Sequence, residues 1–461
     1  VTEIPSNIFR SYDIRGLVGT QLNEQVMFAL GQALGSAALC QNQQSIVVGG
    51  DGRLSSPVLQ RSLTEGLLDA GLEVIGIGQV PTPVLYYATH VLPSRSGAMV
   101  TGSHNPSDYN GLKMVIDQKV LTQEAVIGLR ERIIEKDLIT GRKGSLQQIE
   151  IIDRYIAEVA GEIKVSRPLK VVVDCGNGVP GAVAPRLFEA LGCEVVPLYC
   201  EVDGSFPNHH PDPAEPENMH DLCALVQDCS ADIGLAFDGD GDRLGVVTGR
   251  GQIIAADRLL MLFARDILQH CSGAPIIFDV KCSRRLGQLI EHSGGEPIMW
   301  RTGHSDIKTK IRASNAPFGG EYSGHICFAD RWYGFDDALY SGARLIELLT
   351  QSGLSSDHLF DSVQADICTP ELKVKTTDEE KFDIIQMLSD KGEFEDASIN
   401  RIDGIRADYT DGWGLVRASN TSPTLTLRFE GETKAALARI YQIFANALTQ
   451  LAPDLEIPEL P

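Results

Sequence analysis

At 461 residues the chain exceeds one ordinary domain, a length prior favours roughly three or four, and 43% apolar composition can bury sizeable cores. A formal charge of −22 argues against a nucleic-acid partner, since phosphate backbones demand clustered Lys and Arg, but leaves room for a small anionic substrate in a local basic cleft. No apolar run approaches bilayer-spanning length, and the N-terminus, starting at Val1 as a processed or trimmed chain would, lacks a signal-peptide layout, so a cytoplasmic protein with no membrane partner is expected. The ten cysteines form no C-x-x-C pair and most sit beside apolar residues, which predicts reduced, mostly buried thiols rather than disulfides or a thiolate metal site.

In chain order, Asn7-Ile8-Phe9-Arg10 and Tyr12-Asp13-Ile14-Arg15-Gly16 form a segment dense in phosphate-capable groups, although taken alone a solvated turn is the favoured reading. A helix is predicted around Asn23 to Leu39, then a buried strand Ile46-Val47-Val48 breaking into the glycine-rich Gly49-Gly50-Asp51-Gly52-Arg53, then a helix through Leu59, Leu63, Leu67 and Leu68. This strand-loop-helix unit recurs from Lys170-Val171-Val172-Val173 and from Pro275-Ile276-Ile277-Phe278. In each copy the helix ends at a glycine and a second strand follows, starting at Glu73, Glu194 and Glu296. The repeat is of βαβ type and points to three tandem related α/β domains with mixed sheets.

Each copy delivers a polar loop farther along. The first is Thr101-Gly102-Ser103-His104-Asn105-Pro106, after the strand-like Gly97-Ala98-Met99-Val100. Gly102 is expected to supply an unusual backbone geometry and Pro106 to stop a helix, holding the Ser103 hydroxyl out at a loop tip as a nucleophile or phosphate carrier. The second is Asp238-Gly239-Asp240-Gly241-Asp242-Arg243, whose carboxylates at alternate positions point one way if the backbone is extended, a hard-oxygen set suited to Mg²⁺. A calcium loop fails on spacing, because Arg243 stands where glycine is needed and Gly249 where glutamate is needed. The third is Glu321-Tyr322-Ser323-Gly324-His325. Ligand groups collect at the carboxyl ends of parallel strands, so one central cleft built by three domains is expected.

From about Pro370 the pattern changes to strand, helix (Asp378 to Leu388), strands and a closing helix from Thr433 to Leu451, a C-terminal α+β domain. Strict alternation in Thr424-Leu425-Thr426-Leu427-Arg428-Phe429 predicts a sheet with one exposed face. Before it, Arg417-Ala418-Ser419-Asn420-Thr421 reads as a turn suited to gripping phosphate. The domains are expected at 1–152, 153–254, 255–367 and 368–461.

Together these motifs resemble the α-D-phosphohexomutases, across the whole chain and in the family's order, with the bacterial phosphomannomutase/phosphoglucomutase subgroup the nearest. Thr101 to Pro106 looks like the phosphoserine loop, Asp238 to Arg243 the magnesium loop, Glu321 to His325 the sugar-recognition loop, and Arg417 to Thr421 the phosphate-binding loop. The resemblance implies an intramolecular phosphotransferase that interconverts hexose 1-phosphate and hexose 6-phosphate, of mannose and glucose, through a phosphoserine enzyme and a hexose 1,6-bisphosphate intermediate that also activates it.

By the same resemblance Ser103 carries the phosphoryl group and joins Asp238, Asp240 and Asp242 on Mg²⁺, with Arg243 beside them. Tyr12, Arg15, His104 and Lys113 match residues around the phosphoserine, and Lys281 and His304 match residues near the sugar. Glu321 and Ser323 bind sugar hydroxyls, while Arg417, Ser419, Asn420 and Thr421 hold phosphate. His325 or Lys113 moves protons to and from the sugar. Partners are small phosphosugars, and a monomer is expected with an oligomer left open.

Three other readings compete. A haloacid-dehalogenase-type phosphotransferase generally wants Thr or Val where this chain has Asp242, and it leaves the serine loop unexplained. A non-catalytic phosphosugar-binding protein is expected to lose the serine or an aspartate. A phosphoglucosamine mutase tends to carry Gln where this chain has Tyr322.

Overall fold

A computed structural model describes residues 4–363, 366–377, 379–419 and 422–460. The chain forms two compact units, Val1–Ala256 with Ser323–Asp361, and Asp257–Tyr322 with Ser362–Pro461. The boundary falls inside the loop Glu321–His325, so the third predicted repeat is divided between them.

In the first unit the helix Glu24–Cys40 begins where Asn23 caps it by accepting from the Val26 amide, and Gly71, at φ 98°, ends the helix Ser56–Ala70. Gly192 and Gly294 close the equivalent helices with φ of 83° and 77°, so the glycine punctuation of the repeat reflects left-handed termini. Helices Glu24–Cys40 and Ser56–Ala70 touch backbone to backbone: a Cβ on Gly31 would lie 2.3 Å from the Leu63 carbonyl oxygen. Strands Ser45–Gly50, Glu73–Gln79 and Gly97–Val100 run parallel, and Tyr109–Ile116 joins antiparallel, between Gly97–Val100 and Asp13–Leu17. The second repeat pairs Lys170–Asp174 with Glu194–Leu198 and Ile233–Phe237 in parallel, with Leu244–Thr248 antiparallel beyond. The serine loop and the acidic loop therefore leave the carboxyl ends of Gly97–Val100 and Ile233–Phe237.

In the second unit Pro275–Asp279 lies between Glu296–Trp300 and Phe318–Gly320, all parallel. The C-terminal sheet is antiparallel: Thr424–Gly431 pairs with Gly412–Ala418, Leu372–Lys375 and Ile367–Cys368. Leu425, Leu427 and Phe429 pack with Ile440, Phe444 and Leu448 of the closing helix Lys434–Leu451. The expected exposed face does not exist, because Thr426, Arg428 and Glu430 are buried as well. Arg428 explains this, with its guanidinium 3.4 Å from the Tyr322 ring centroid and ion-paired with Asp257 at 3.3 Å. Alternation marked the two faces correctly, but a buried cation-aromatic contact covers the polar one. The cysteines are free thiols, with Cys40 and Cys368 exposed. No helix among the described residues is long and apolar enough to cross a membrane.

Candidate active site

In the first unit the serine loop is folded inward. Ser103 is 2% exposed and adopts φ 50°, so it is Ser103 and not Gly102 that takes the left-handed conformation, and its hydroxyl is not out at a tip. Gly102 is required for space, because a Cβ there would lie 2.4 Å from Arg53 Nε. The strained residue is held by its own amide, which donates to Thr101 Oγ1 at 2.8 Å. Ser103 Oγ donates to Asp238 Oδ2 at 3.2 Å and lies 3.2 Å from His104 Nδ1. Burial, then Arg243 and Arg15, push the His104 imidazole well below its usual range, which keeps it neutral. Arg15 donates to Asn105 Oδ1 at 2.5 Å and pairs with Asp13 at 2.8 Å, with Tyr12 half-buried nearby in the chain.

The acidic loop is a tight turn rather than an extended run. Gly241, at φ 80°, lets the chain wrap around one oxygen: Asp238 Oδ1 accepts from the amides of Gly241, Asp242 and Arg243 at 3.0, 3.0 and 3.1 Å. The turn, not strand alternation, brings Asp238, Asp240 and Asp242 together, with ligand atoms within 4.8 Å of one another and all three buried. Lys113 Nζ lies 2.7 Å from Asp240 Oδ2 and 2.5 Å from Asp242 Oδ2. Burial opposes the ammonium charge, but Asp240 and Asp242 outweigh it and hold Lys113 well above its usual range. Burial, then Asp242 and Asp240, push Asp238 upward.

Asp240 Oδ1 in this cluster is buried with no hydrogen-bond partner among the described residues. An orphaned carboxylate oxygen in an all-oxygen cluster fits a hard divalent cation such as Mg²⁺.

His325 borders this cluster. Its Nε2 lies 3.3 Å from Asp242 Oδ1 and 3.3 Å from Arg243 Nε, and its Nδ1 lies 2.8 Å from Ser323 Oγ. Both ring nitrogens therefore have a polar partner, and the tautomer sets which of them donates. Arg243 also approaches Asp212 at 3.7 Å.

In the second unit Lys281 Nζ pairs with Glu371 at 2.7 Å. Burial opposes that charge too, but Glu371 and Asp279 raise Lys281 overall. Glu321 accepts from the Gly303 amide at 2.6 Å, just before His304 begins the helix His304–Ser314, and Lys308 Nζ lies 3.1 Å from His304 Nδ1. Arg417 belongs to the strand Gly412–Ala418 rather than to the turn, and pairs with Asp403 at 2.9 Å. Its Nη2 is buried with no hydrogen-bond partner among the described residues, a donor open to an anion. Ser419 Oγ accepts from the Ser422 amide at 3.2 Å, and Lys381 Nζ gathers the Ser419 and Ser422 carbonyls at 2.8 and 3.0 Å. Asn420 and Thr421 lie outside the described residues.

Several site residues escaped the sequence reading. Thr82 donates to Asp240 Oδ2 at 2.5 Å, and Asp336 comes within 4.8 Å of Asp242 and His325 ligand atoms. Glu371, Asp403 and Lys381 are set by pairings distant in the chain, with no local signal. Asp51 and Arg53 did carry one, the glycine-rich loop, but without an assignable role.

Four family models match the chain in order: the alpha/beta/alpha domains I, II and III of phosphoglucomutase/phosphomannomutase at residues 6–138, 153–251 and 255–365, and its C-terminal domain at 371–447. A phosphomannomutase/phosphoglucomutase of Pseudomonas putida is 53% identical over 99% of this chain and 98% of its own length. A phosphoglucomutase of Neisseria gonorrhoeae is 46% identical over 99% of this chain and 100% of its own. A crystal structure of a phosphoglucomutase/phosphomannomutase family protein from Burkholderia thailandensis superposes with a TM-score of 0.95 at 48% identity, covering 99% of this chain and 100% of that one. Matches to all four domains and full-length identity of this order, on a chain that brings serine and acidic loops together, show that it belongs to the phosphoglucomutase/phosphomannomutase family.

Proposed function

We propose that the chain is an isomerase that interconverts the 1- and 6-phosphates of glucose and mannose by intramolecular phosphoryl transfer through Ser103. The observation that carries this reading is the buried Ser103 hydroxyl 3.2 Å from Asp238, within the three-aspartate cluster. Phosphorylated Ser103 gives its phosphoryl group to the free hydroxyl of a hexose monophosphate, whose proton leaves to a base. The resulting hexose 1,6-bisphosphate turns end for end and returns its other phosphoryl group to Ser103, so serine phosphate is regenerated and nothing is consumed.

Asp238, Asp240 and Asp242 with the serine oxygen would hold Mg²⁺, which when bound neutralises charge on the transferring group. Arg15 and Arg243 supply donors near Ser103. The neutral His104 accepts or donates a single hydrogen bond without adding charge. His325 has the proton-relay geometry, with Ser323 on one nitrogen and Asp242 on the other. Lys113, held charged by two carboxylates, is the poorer base. Tyr12, Lys281, His304, Glu321 and Ser323 are assigned to the sugar, and Arg417 and Ser419, with Asn420 and Thr421, to a phosphate. The domains are taken as 1–152, 153–254, 255–367 and 368–461, the protein as a cytoplasmic monomer, and hexose 1,6-bisphosphate as its activator.

Acceptance of both sugars follows from the half-turn. It roughly exchanges the 3- and 4-hydroxyls, which Glu321 and Ser323 can read in either pose, while carbon 2, where glucose and mannose differ, goes almost unread. Two measurements test the reading. Intact mass must show a phosphate adduct that Ser103→Ala lacks, and phosphate on Asp238 instead overturns the serine assignment. Turnover of glucose 1-phosphate and mannose 1-phosphate must differ in kcat/KM by less than about a thousandfold, roughly 4 kcal/mol.

A further inference from the structure

Gly49-Gly50-Asp51-Gly52-Arg53 ends a central strand, yet none of its side chains is used in the chemistry above. Arg53 is 1% exposed, and its guanidinium faces the underside of the serine loop. Nη2 donates to the carbonyls of Ser103 at 2.8 Å and Asn105 at 2.5 Å, and Nη1 to those of Pro106 at 2.5 Å and Tyr109 at 3.0 Å. Asp51 completes the clamp. Its Oδ2 pairs with Arg53 Nε at 3.2 Å and accepts from the Gly102 amide at 3.0 Å, while Oδ1 accepts from the Arg53 amide at 3.0 Å and Ser56 Oγ at 2.5 Å. Phe206 lies against the guanidinium, its ring centroid 5.1 Å from Arg53 Cζ.

The planar guanidinium directs both of its terminal nitrogens at four carbonyls of one loop, a fixed fork that a flexible ammonium cannot reproduce. It does two things that a hydrophobic plug could not. It holds Ser103 in a left-handed conformation that an L-residue resists. It also ties the negative ends of four peptide dipoles to a cation, so they are not free to swing toward a dianionic phosphoryl group on the same loop.

We propose that Arg53, with Asp51, is a positioning residue for phosphoryl transfer: it fixes the Ser103 oxygen against the acidic cluster without touching substrate. This rests on the reading of Ser103 as the phosphoryl carrier. Displacing a reacting atom by about 1 Å costs on the order of a hundredfold in rate, so the effect should fall on kcat.

The test is Arg53→Lys, which keeps the charge but replaces the planar fork with a point donor, alongside Arg53→Ala assayed with and without millimolar guanidinium chloride. Expected for Arg53→Lys is a kcat about a hundredfold lower, a KM for glucose 1-phosphate within threefold of wild type, and unchanged Mg²⁺ affinity. Guanidinium should restore part of the Arg53→Ala rate while leaving wild type unaffected. Should Arg53→Ala fail to fold, Arg53→Lys decides alone. A wild-type kcat in Arg53→Lys, or parallel losses in kcat, KM and Mg²⁺ affinity, overturns the proposal. Intact mass separates the two readings. Wild-type enzyme that turns over without ever carrying phosphate on Ser103 removes the carrier and this inference with it, whereas phosphoserine in both proteins with equal kcat removes only the inference.

Discussion

Replacing Lys113 with Met removes an ammonium that lies 2.7 Å from Asp240 and 2.5 Å from Asp242 in a buried cluster. At an effective dielectric of about 20 each contact is worth roughly 6 kcal/mol before desolvation. Desolvation cancels most of that sum, and breaking a buried pair from one side typically costs about 3–5 kcal/mol because the partner charge stays behind. For the first unit, Val1–Ala256 with Ser323–Asp361, this lowers Tm by roughly 5–8 °C. The loss should be nearly constant from about pH 6 to 9: Asp240 and Asp242 raise Lys113, so its stabilisation is complete below the ordinary lysine pKa and fades only as pH rises through the folded value.

Metal separates electrostatics from packing. In EDTA the three carboxylates of Lys113→Met lack the Lys113 ammonium, whereas saturating Mg²⁺ would supply two charges to the same oxygens. Mg²⁺ should therefore raise the Tm of Lys113→Met more than that of wild type, and bind it more tightly, since a competing cation is gone. The assay is thermal unfolding followed by near-ultraviolet circular dichroism in EDTA and in a Mg²⁺ titration. A metal-free Lys113→Met protein that melts within a degree of wild type, or equal Mg²⁺ stabilisation of both, refutes the charge argument.

Asp240→Asn, at a residue assigned as a direct ligand, should weaken Mg²⁺ by at least the roughly tenfold to hundredfold that changes to a ligand's supporting partners produce, and cut turnover in step at limiting Mg²⁺. Glucose 1-phosphate binding by calorimetry should stay within threefold, and turnover unchanged at limiting Mg²⁺ would exclude the triad. Gly102→Ala puts a methyl 2.4 Å from Arg53 Nε, so overpacking of about 1–3 kcal/mol should appear as a lower denaturant midpoint together with a lower kcat; unchanged values of both would show that the clamp yields freely. Asp337 caps the helix Ala338–Ser352 and accepts from Tyr155, Trp332 and the Tyr340 amide, yet burial pushes its carboxyl up to about 7. The folded state therefore binds the proton more tightly than the unfolded chain, and this group's contribution to stability falls as pH rises from about 4 to 7, by on the order of 4 kcal/mol. Asp337→Asn should remove that slope in urea unfolding; the slope is the readout because an amide cannot satisfy all three donors.

Much of this molecule is local and so was legible in its sequence. Apolar runs such as Ile46-Val47-Val48, helix periodicity such as Leu59, Leu63 and Leu67, and glycines at helix ends are short-range signals, and the strands and helices fall within a few residues of expectation. The polar loops after those strands were also visible, because Asp-x-Asp-x-Asp and Thr-Gly-Ser-His-Asn-Pro concentrate chemistry in a few residues.

Tertiary structure decided how those loops work. The three aspartates converge because Gly241 turns the chain around Asp238 Oδ1, a geometry that alternate spacing does not encode. Gly102 is needed for space rather than for its φ, because Arg53, from the preceding glycine-rich loop, fills the position a Cβ there would take. Arg428 lies on the face that alternation marked as exposed, and it is buried because Tyr322 and Asp257 come from far upstream in the chain. Lys113 gains its strong pairing from residues more than a hundred positions away. Hydrophobic and conformational preferences act between near neighbours, whereas a buried charge is tolerated only where the completed fold supplies its partner, and that partner has no fixed offset along the chain.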